Sequence, residues 1–572
     1  MVSGPFVLPF HTQPIPSFHS ELWAAVLGLA ATCGLWTARG ELRLPWLLAV
    51  PGLLLAMLLL QFALGRLVFV QLGLLHALYL LWAGLLLVLG RHLANTLGLA
   101  ALVDVLAIGL VLGGLVAAAA AIAQWLDIVD ALPWVFPRLG GSIQANVGQS
   151  NHHAHHSFLA IASLFHLRGR TWLSRPLFWL LMATIGFGAV LGSSRSVFLY
   201  ALVVFGAVLL ARGKDGRGPV AGLLVDAALL VPLLMALSLF ANWAVSAGVG
   251  SVSPTSGARL FDQVSGSSAR LAILRTGWAA FLESPWLGQG VGSYSWASFV
   301  AATAHDSGAQ FMVSEHAHNL VLNLLVEFGA PATLAVLAAL AAWALAFLRQ
   351  PWQAGHAWCA AVLGIGAVHS LLEYPLWYSY FLGPTALLLG AAGAGRGLVL
   401  AGRRAFFYVV FVALAGGVIL AGLRADYVVV EAAMYRPFAG HPDRELAWRM
   451  SVQRLLRLHR ESLLSPWVLR AFNVMAEPSA HLAADRADLC LLGLHLTPAR
   501  ALVTRCAIHL AVDGRDAEAR RLTSAALRAF PGEGDQTLGE LAVAARDFAA
   551  VESLRVFAES LRAVPRPGAA GG

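Results

Sequence analysis

Long apolar runs separated by short polar breaks recur from residue 21 to residue 424. A helix needs roughly 20 apolar residues to cross about 30 Å of hydrocarbon, where its backbone must satisfy its own hydrogen bonds. The pattern therefore predicts an all-α, polytopic membrane helix bundle of about twelve spans. The predicted spans are 21–38, 45–65, 67–90, 97–124, 152–167, 176–192, 196–211, 219–242, 317–348, 353–373, 376–395 and 405–424. The run at 152–167 is short, so we expect it to be tilted, interfacial or only partly embedded.

A long loop and a polar tail interrupt this pattern. Within the loop, the stretch at 267–290 has apolar residues at helical spacing and ends at Ser284 and Pro285, which predicts an amphipathic helix on the membrane surface or against the mouth of the bundle. Its apolar positions are Leu271, Leu274, Trp278 and Phe281. After residue 424 charged residues become frequent while the helical period continues, and one helical pair resembles a tetratricopeptide unit. The predicted domains are an N-terminal block of eight spans (1–242), the large loop (243–316), a block of four spans (317–424) and a soluble α-helical domain (425–572).

Composition supports a membrane protein. Apolar residues make up 59% of the chain and charged residues 12%, against roughly 25% charged in soluble domains. The formal charge of +8 is scattered over loops and tail rather than gathered on one stripe, so nucleic acid is not an expected partner. The positions of the basic residues instead predict topology. If the N-terminus lies outside, the inner loops hold thirteen Lys and Arg residues and the short outer loops hold three, which places the large loop and the tail outside.

The N-terminus and the cysteines add two open questions. No cleavable signal peptide is expected, because the first residues lack a basic region and contain Pro9, Pro14 and Pro16. The stretch GPFVLPF at 4–10 resembles the end of a helix, so we hypothesise a further span upstream of this start. Cys33 and Cys359 lie in predicted spans as small packing residues, whereas Cys490 and Cys506 lie in the tail, where both a disulfide and buried helix faces fit the pattern.

Four polar clusters interrupt the hydrophobic pattern, and the predicted topology places all four at the outer ends of spans. They are NVGQSNHHAHHSF (146–158) with Gln149, Asn151, His152, His153, His155 and His156; GSSRSVF (192–198) with Arg195; Arg270 together with SEHAHN (314–319), which supplies Glu315, His316, His318 and Asn319; and HSLLEYPLWY (369–378) with His369, Glu373, Tyr374 and Tyr378. We therefore expect the clusters to share one face of the membrane.

Each cluster also has a structural interpretation. A histidine at a helix end is more often a capping or interfacial residue than a catalyst. The histidines of 152–156 include i,i+3 and i,i+4 pairs that could share a helix face, but no cysteine or paired acid accompanies them, so a metal site is not expected. Arg195 has few polar neighbours before lipid resumes, and such arginines usually pair with an anion.

Two arginines and a histidine at one face suit a particular chemistry. The guanidinium groups of Arg195 and Arg270 can bind phosphate oxygens bidentately, and a diphosphate that carries a sugar is a good leaving group. Stabilising its developing charge would drive glycosyl transfer without a metal. A nearby histidine could take the proton of the acceptor hydroxyl. The polar groups at 314–319 would then line a reaction chamber at the lipid boundary.

Several motifs resemble one family of membrane enzymes. They are PFHTQPIPSFHSELWAA (9–25), GQSNHHA (148–154), SSRS (193–196), SSARLAILRTGWAAFLESPWLGQGVGSY (267–294), HAHNLVLNLLVEFGAP (316–331) and HSLLEYPLWY (369–378). With the helical tail they resemble the bacterial O-oligosaccharyltransferases that glycosylate pilins and other exported proteins, in the superfamily of O-antigen ligases and O-antigen polymerases. EYPLWY and the extended tail favour the protein-glycosylating branch.

The resemblance implies roles for individual residues. The histidine that precedes Asn in the large loop corresponds to His318, and the two family arginines correspond to Arg195 and Arg270, which we predict to be catalytic. Gln149 and Asn151 correspond to a motif that concerns the lipid-linked donor. Neighbouring residues of the same clusters are predicted to bind substrates, and these are His152, His316, Asn319, Glu373 and Tyr374. His316 is a rival to His318, since the two would point the same way on an extended segment and diverge on a helix.

The resemblance also implies partners and location. The donor would be an oligosaccharide on undecaprenyl diphosphate, the acceptor an exported protein such as pilin, and the surroundings the lipids of a bacterial inner membrane, with site and tail domain periplasmic. No cofactor is expected.

Two alternatives stay open. The first is an O-antigen ligase that acts on lipid A core, or an O-antigen polymerase. The second is a multi-span transporter, which would need ionisable residues near the bilayer midplane, where His76, Asp104 and Asp226 are the main ones.

Overall fold

The computed structural model describes residues 1–37, 41–138, 140–215, 220–261, 267–304, 310–393, 397–435 and 443–563. Parts of the predicted large loop (262–266 and 305–309) and the end of the predicted tail domain (564–572) lie outside these ranges. The described chain is almost entirely helical, because the Leu- and Ala-rich apolar runs favour helix and a helix bonds its own backbone groups in lipid.

The helices follow the chain in three groups. Up to the large loop they are α1 (Phe18–Ala31), α2 (Ala49–Ala63), α3 (Val70–Leu97), α4 (Leu99–Trp125), α5 (Ser150–Gly169), α6 (Arg175–Leu191), α7 (Ser196–Asp215), α8 (Val220–Ala228) and α9 (Leu230–Ser246). From the loop to the last span they are α10 (Ser256–Phe261), α11 (Ser267–Leu282), α12 (Tyr294–Ala304), α13 (Leu320–Arg349), α14 (His356–Leu372), α15 (Ser379–Ala391) and α16 (Gly402–Tyr435). The tail has α17 (Arg444–Glu461), α18 (Ser465–Met475), α19 (Ala483–Leu494), α20 (Arg500–Val512), α21 (Asp516–Ala529), α22 (Gly534–Ala545) and α23 (Ala549–Ala563).

Most predicted spans coincide with apolar helices. Within the described ranges, eight helical segments are long and apolar enough to cross a membrane, and each matches one predicted span. The shorter apolar helices α6, α14 and α15 match three more. The remaining predicted span, 152–167, is helix α5. The prediction of an all-α polytopic membrane protein is therefore confirmed.

Some helices differ in detail from their predicted spans. The span at 219–242 is divided at Leu229 into α8 and α9. Helix α13 contains a non-helical residue, Gly329, at φ 79° and ψ 171°, immediately before Ala330 and Pro331. The last helix, α16, continues to Tyr435 rather than ending near 424. The interruptions at Leu229 and Gly329 are local backbone events that a hydropathy pattern does not report.

A short antiparallel ribbon was not predicted. Strand β1 (Glu41–Leu44) pairs with β2 (Leu398–Ala401), with Glu41 opposite Ala401 and Leu44 opposite Leu398. Each strand has four residues, too few for a period-two pattern to be distinguished within polar loops.

The chain forms two compact units, each discontinuous in sequence. The first consists of Met1–Leu55, Leu78–Ser265 and Ala335–Gly422. Its core lies among α4, α5, α6, α7 and α14, with Phe158 and Phe178 fully buried. Small residues bring its helices together, since a Cβ on Gly188 would lie 2.7 Å from the Cα of Ala118.

The second unit consists of Ala56–Ala77, Gly266–Leu334 and Leu423–Gly572. It holds the described residues of the large loop from 267 onward together with the tail helices, whose mutual core includes Leu510, Leu541 and Leu554. A disulfide joins Cys490 on α19 to Cys506 on α20, with Cα atoms 5.4 Å apart. Both cysteines are also buried. The disulfide and the buried helix faces, which the sequence left as alternatives, are therefore both present.

Candidate active site

In the first unit, Asn151 joins two of the predicted polar clusters. Its Nδ2 donates to Oε1 of Glu373 at 2.6 Å, and its Oδ1 accepts from the hydroxyl of Ser194 at 2.7 Å. The Ser194 and Ser196 hydroxyls are 2.7 Å apart. Asn151 and Glu373 are thus in contact, and their bond connects the start of α5 with the end of α14.

Arg195 lies in the turn that begins α7. Ser194 and Ser196 on either side of it are buried, while Arg195 itself is half-buried. Ser193 has a φ of 62°, and its hydroxyl donates to the carbonyl of Pro254. The turn is therefore held on one side by Pro254 and on the other by Asn151, which fixes the backbone that carries the guanidinium.

Gln149 has a structural role. It is the N-cap residue of α5, and its Oε1 accepts from the backbone N–H of His152 at 2.7 Å. This bond satisfies one of the amide groups that a helix leaves unpaired at its start. Because Oε1 of Gln149 already accepts this bond, we expect the predicted contact with the lipid-linked glycan donor to use the other polar atoms of Gln149.

The four histidines at the start of α5, at 152, 153, 155 and 156, are buried and contact different partners. His152 Nδ1 lies 3.1 Å from the hydroxyl of Tyr380. His153 Nε2 donates to the carbonyl of Gly188 at 2.9 Å.

The other two histidines also have separate partners. His155 Nδ1 lies 2.5 Å from Nδ1 of His369, so one ring donates and the other accepts. His156 Nε2 lies 3.2 Å from the hydroxyl of Ser3, and its ring stacks on Phe6. Within the described part of the chain, no group of three or more His, Cys, Asp or Glu side chains is placed to hold a metal ion.

Tyr374 belongs to the same part of the first unit. Its hydroxyl accepts from that of Tyr378 at 3.4 Å, and the two rings stack with centroids 5.7 Å apart. The ring of Tyr378 also meets His152 edge-on at 4.9 Å. Among the predicted residues of this unit, His152 and Tyr374 are thus connected through Tyr378, which the sequence analysis placed in the same cluster as Tyr374.

In the second unit, the segment 310–319 between α12 and α13 carries both candidate loop histidines. The Ser298 hydroxyl donates to the carbonyl of Ser314 at 3.0 Å. The backbone N–H of Ala317 donates to Oδ1 of Asn323 at 3.1 Å, and Ala317 is fully buried. These contacts anchor the backbone between His316 and His318.

His318 adopts a left-handed backbone conformation with a φ of 47°. Such a conformation is uncommon for residues other than glycine and marks a constrained position. The next residue, Asn319, accepts from the N–H of Leu322 at 3.0 Å and so caps the start of α13. The His316–Asn319 segment is a turn rather than the extended or helical segment that the sequence left open.

His316 has an altered acidity. Although part of its surface is exposed, burial of the imidazole lowers the pKa of His316 to about 3, with smaller contributions from the nearby imidazoles of His318 and His76. Sequence reasoning considered His76 only as a mid-span group of a transporter. The position of His76 within a predicted span did not indicate that its side chain lies near the histidines of the loop.

Arg270 lies on α11 and is exposed. On one side of this helix Ala280 and Phe281 are buried with Tyr294 and Leu322. On the other side, an exposed apolar face is formed by Leu271, Leu274, Trp278 and Leu282. This amphipathic helix has the character expected of one on a membrane surface, although Phe281 faces the protein.

The motif PWLGQGVGSY forms a turn between α11 and α12. Gln61 holds it, since its Nε2 donates to the carbonyls of Leu287 and Glu327 at 3.1 and 2.7 Å and its Oε1 accepts from Val291. Gly288 has a φ of 72°, and a Cβ there would lie 2.2 Å from the carbonyl oxygen of Glu327. Glycine is therefore required at 288 by conformation and by space.

The tail helices support the loop that carries the histidines. Glu315 lies 3.7 Å from Nη1 of Arg470 on α18. Phe311 and Val313 pack with the cluster that contains Cys490 and Cys506. The tail is consequently part of the structure that positions 310–319.

Parts of this chain are similar to known proteins. Residues 180–337 match the family model described as O-antigen ligase, and residues 357–540 match the one described as virulence factor membrane-bound polymerase, C-terminal. The chain is 28% identical over 410 residues to a general O-oligosaccharyltransferase of Acinetobacter baylyi, an alignment that covers 68% of each protein.

Proposed function

We propose that this chain is a membrane-embedded O-oligosaccharyltransferase of the O-antigen ligase superfamily, and that it transfers a glycan en bloc from undecaprenyl diphosphate to Ser or Thr hydroxyls of exported proteins such as pilin. The observation that carries the proposal is the constrained turn at 316–319, which holds two imidazoles at the N-terminus of the long helix α13. Arg270 belongs to the same unit.

Charge favours a diphosphate near this turn. The exposed guanidinium of Arg270 can bind phosphate oxygens bidentately. The N-terminus of α13 adds the positive end of a helix dipole and amide groups that favour an anion. We assign Arg195 as the second donor-binding cation and Gln149, Asn151, His152, Glu373 and Tyr374 as substrate-binding residues.

In the proposed reaction, the acceptor oxygen attacks the anomeric carbon of the glycan. The bond from that carbon to the diphosphate oxygen breaks, and undecaprenyl diphosphate leaves with the electron pair. The hydroxyl proton passes to His318. Cations at the diphosphate stabilise the charge that develops on the leaving group, which lowers the barrier without a metal.

The two loop histidines receive different roles in this proposal. The low pKa of His316 makes its imidazole a weak base, although the ring is neutral at pH 7. We therefore assign proton transfer to His318 and assign His316, with Asn319, to orientation of the acceptor. Transfer that continues in the presence of a strong chelator would agree with the metal-independent mechanism, and transfer that stops and is restored by a divalent cation would contradict it.

The proposed orientation places the loop and the tail in the periplasm. The disulfide between Cys490 and Cys506 supports it, because disulfides persist in oxidising compartments. Labelling of single cysteines introduced in the tail, with a thiol reagent that does not cross the inner membrane, tests the assignment. Labelling of intact spheroplasts is expected, and labelling only after lysis would reverse it.

The experiment that tests the function combines purified protein, a lipid-linked oligosaccharide and two acceptors, a pilin and a lipid A core. Glycosylated pilin with unmodified core is the expected product. Modified core with bare pilin would assign the chain to the O-antigen ligases, and lengthened lipid-linked glycan to the polymerases.

A transport function has little support. In the first unit, Oδ1 of Asp104 lies 2.7 Å from His166 and its Oδ2 lies 3.2 Å from Arg170. Asp226 is paired with Arg175 at 3.1 Å. Two of the three mid-span groups that a transporter would use are thus engaged in ion pairs, as structural charges in membranes usually are.

A further inference from the structure

Helix α17 presents a face that combines arginines with exposed apolar side chains. Leu446 and Met450 are 46% and 40% exposed. Arg457 and Arg460 follow them at helical spacing, and Arg454 lies one turn beyond Met450. All three arginines are exposed, so one surface of the helix carries three guanidinium groups beside two large apolar side chains.

The opposite face of α17 packs against the protein, so the face with the arginines points away from it. Leu455 is fully buried, and Ala447 is 8% exposed. The start of the helix is capped by Asp443, whose Oδ1 accepts from the N–H of Leu446 at 3.0 Å. The basic face therefore stays turned outward.

The end of α17 contacts α16, the helix of the last predicted span. The Ser462 hydroxyl, one residue after α17, donates to Oδ2 of Asp426 at 2.6 Å. Asp426 lies two residues beyond the predicted end of that span at 424. At 1.5 Å rise per residue, Arg457 lies within about 8 Å of Ser462 along the helix axis, and Arg460 lies closer still.

The connection to the span limits where the basic face can be. Only residues 436–443 separate α16 from α17, and eight residues reach at most about 26 Å when fully extended. Arg457 and Arg460 are thus held near Asp426, in the charged part of α16 that follows the apolar run 405–424, and phosphate headgroups are the abundant anions where an apolar run leaves the bilayer.

We propose that the exposed face of α17, formed by Arg454, Arg457 and Arg460 with Leu446 and Met450, binds the anionic phospholipid headgroups of the bilayer. The guanidinium groups bind the headgroup phosphates, and the two apolar side chains enter the interface. A basic residue near an anionic surface strengthens binding about fivefold, so loss of all three arginines weakens the association about 100-fold.

The test uses the full-length protein in nanodiscs of phosphatidylcholine with or without phosphatidylglycerol. Amide hydrogen exchange is followed by mass spectrometry in peptides from α17. We expect exchange in the wild type to be slower when phosphatidylglycerol is present and to recover in high salt, because the attraction is screened. The triple variant Arg454→Gln/Arg457→Gln/Arg460→Gln is expected to lose this protection.

A matched control removes three other exposed tail arginines by the changes Arg521→Gln, Arg528→Gln and Arg546→Gln, and it should keep the protection. A second variant with lysine at 454, 457 and 460 keeps the charge and should keep most of the protection, so poor folding of the glutamine variant does not decide the result. Equal exchange of the wild type in both lipids would overturn the proposal. So would protection that persists in a folded glutamine variant, or protection that only an acidic acceptor protein produces.

Discussion

Replacing His318 separately by alanine and by glycine distinguishes catalysis from backbone conformation. Both variants lack the imidazole, so both should lose glycan transfer. General base catalysis contributes roughly 10²- to 10⁴-fold, which corresponds to about 3 to 5 kcal/mol of activation free energy. The two variants should differ in stability, because residue 318 has a φ of 47°. Alanine there retains a Cβ in a left-handed conformation, and we expect it to be less stable than glycine by on the order of 1 kcal/mol.

The assay is single-turnover transfer from a lipid-linked oligosaccharide to an acceptor peptide, paired with thermal unfolding of each variant in the same detergent. Added imidazole should partly restore transfer by the glycine variant at position 318 if the residue is a base, and should have no effect if it only orients the acceptor. Near wild-type transfer by both variants would refute the assignment of His318. Equal stability of the two variants would contradict the argument from backbone conformation.

Three further predictions follow from other parts of the molecule. Arg270→Lys should raise the KM for the donor about tenfold with a smaller effect on kcat, since a point charge does not reproduce a bidentate fork, and initial rates at varied donor concentration measure this. Glu373→Ala removes a 2.6 Å bond from Asn151 and should lower the free energy of unfolding by about 2 kcal/mol, measured by thermal unfolding; an unchanged melting temperature would contradict that contact. Burial, with a smaller effect from nearby arginines, lowers the pKa of His509 to about 4, so the unfolded tail binds a proton that the folded tail does not as pH falls below about 6.5. Tail stability should therefore drop by about 2 kcal/mol between about pH 7 and pH 5, and His509→Gln should flatten this dependence in hydrogen exchange of the tail helices.

Hydropathy was sufficient to predict the helical membrane fold, because a bilayer leaves few alternatives to an apolar helix. It did not predict where a helix is interrupted. Gly329 breaks α13 through its backbone conformation, and the break leaves the apolar run unchanged. The β1–β2 ribbon escaped prediction because it joins segments more than three hundred residues apart through backbone bonds that carry no side-chain signal.

The sequence was sufficient to locate the polar clusters. It did not predict which of their side chains bond to one another or cap a helix. Asn151 and Glu373 were grouped as substrate-binding residues, and the structure adds that they bind each other. Gln149 and Asn319 were chosen for their chemistry, and each also caps a helix. A sequence motif gives the residue type, but it does not indicate whether the side chain bonds to the backbone or to a ligand. Whether these side chains contact substrate stays a prediction.

The β1–β2 ribbon has a consequence for biogenesis. Because Glu41 pairs with Ala401, the first strand has no partner until the ribosome has delivered nearly all of the membrane-embedded chain. An N-terminal fragment that stops before residue 398 would expose the edge of β1 to other chains. Split or truncated versions of this protein should therefore be divided after β2, so that the strand synthesised first finds its own partner.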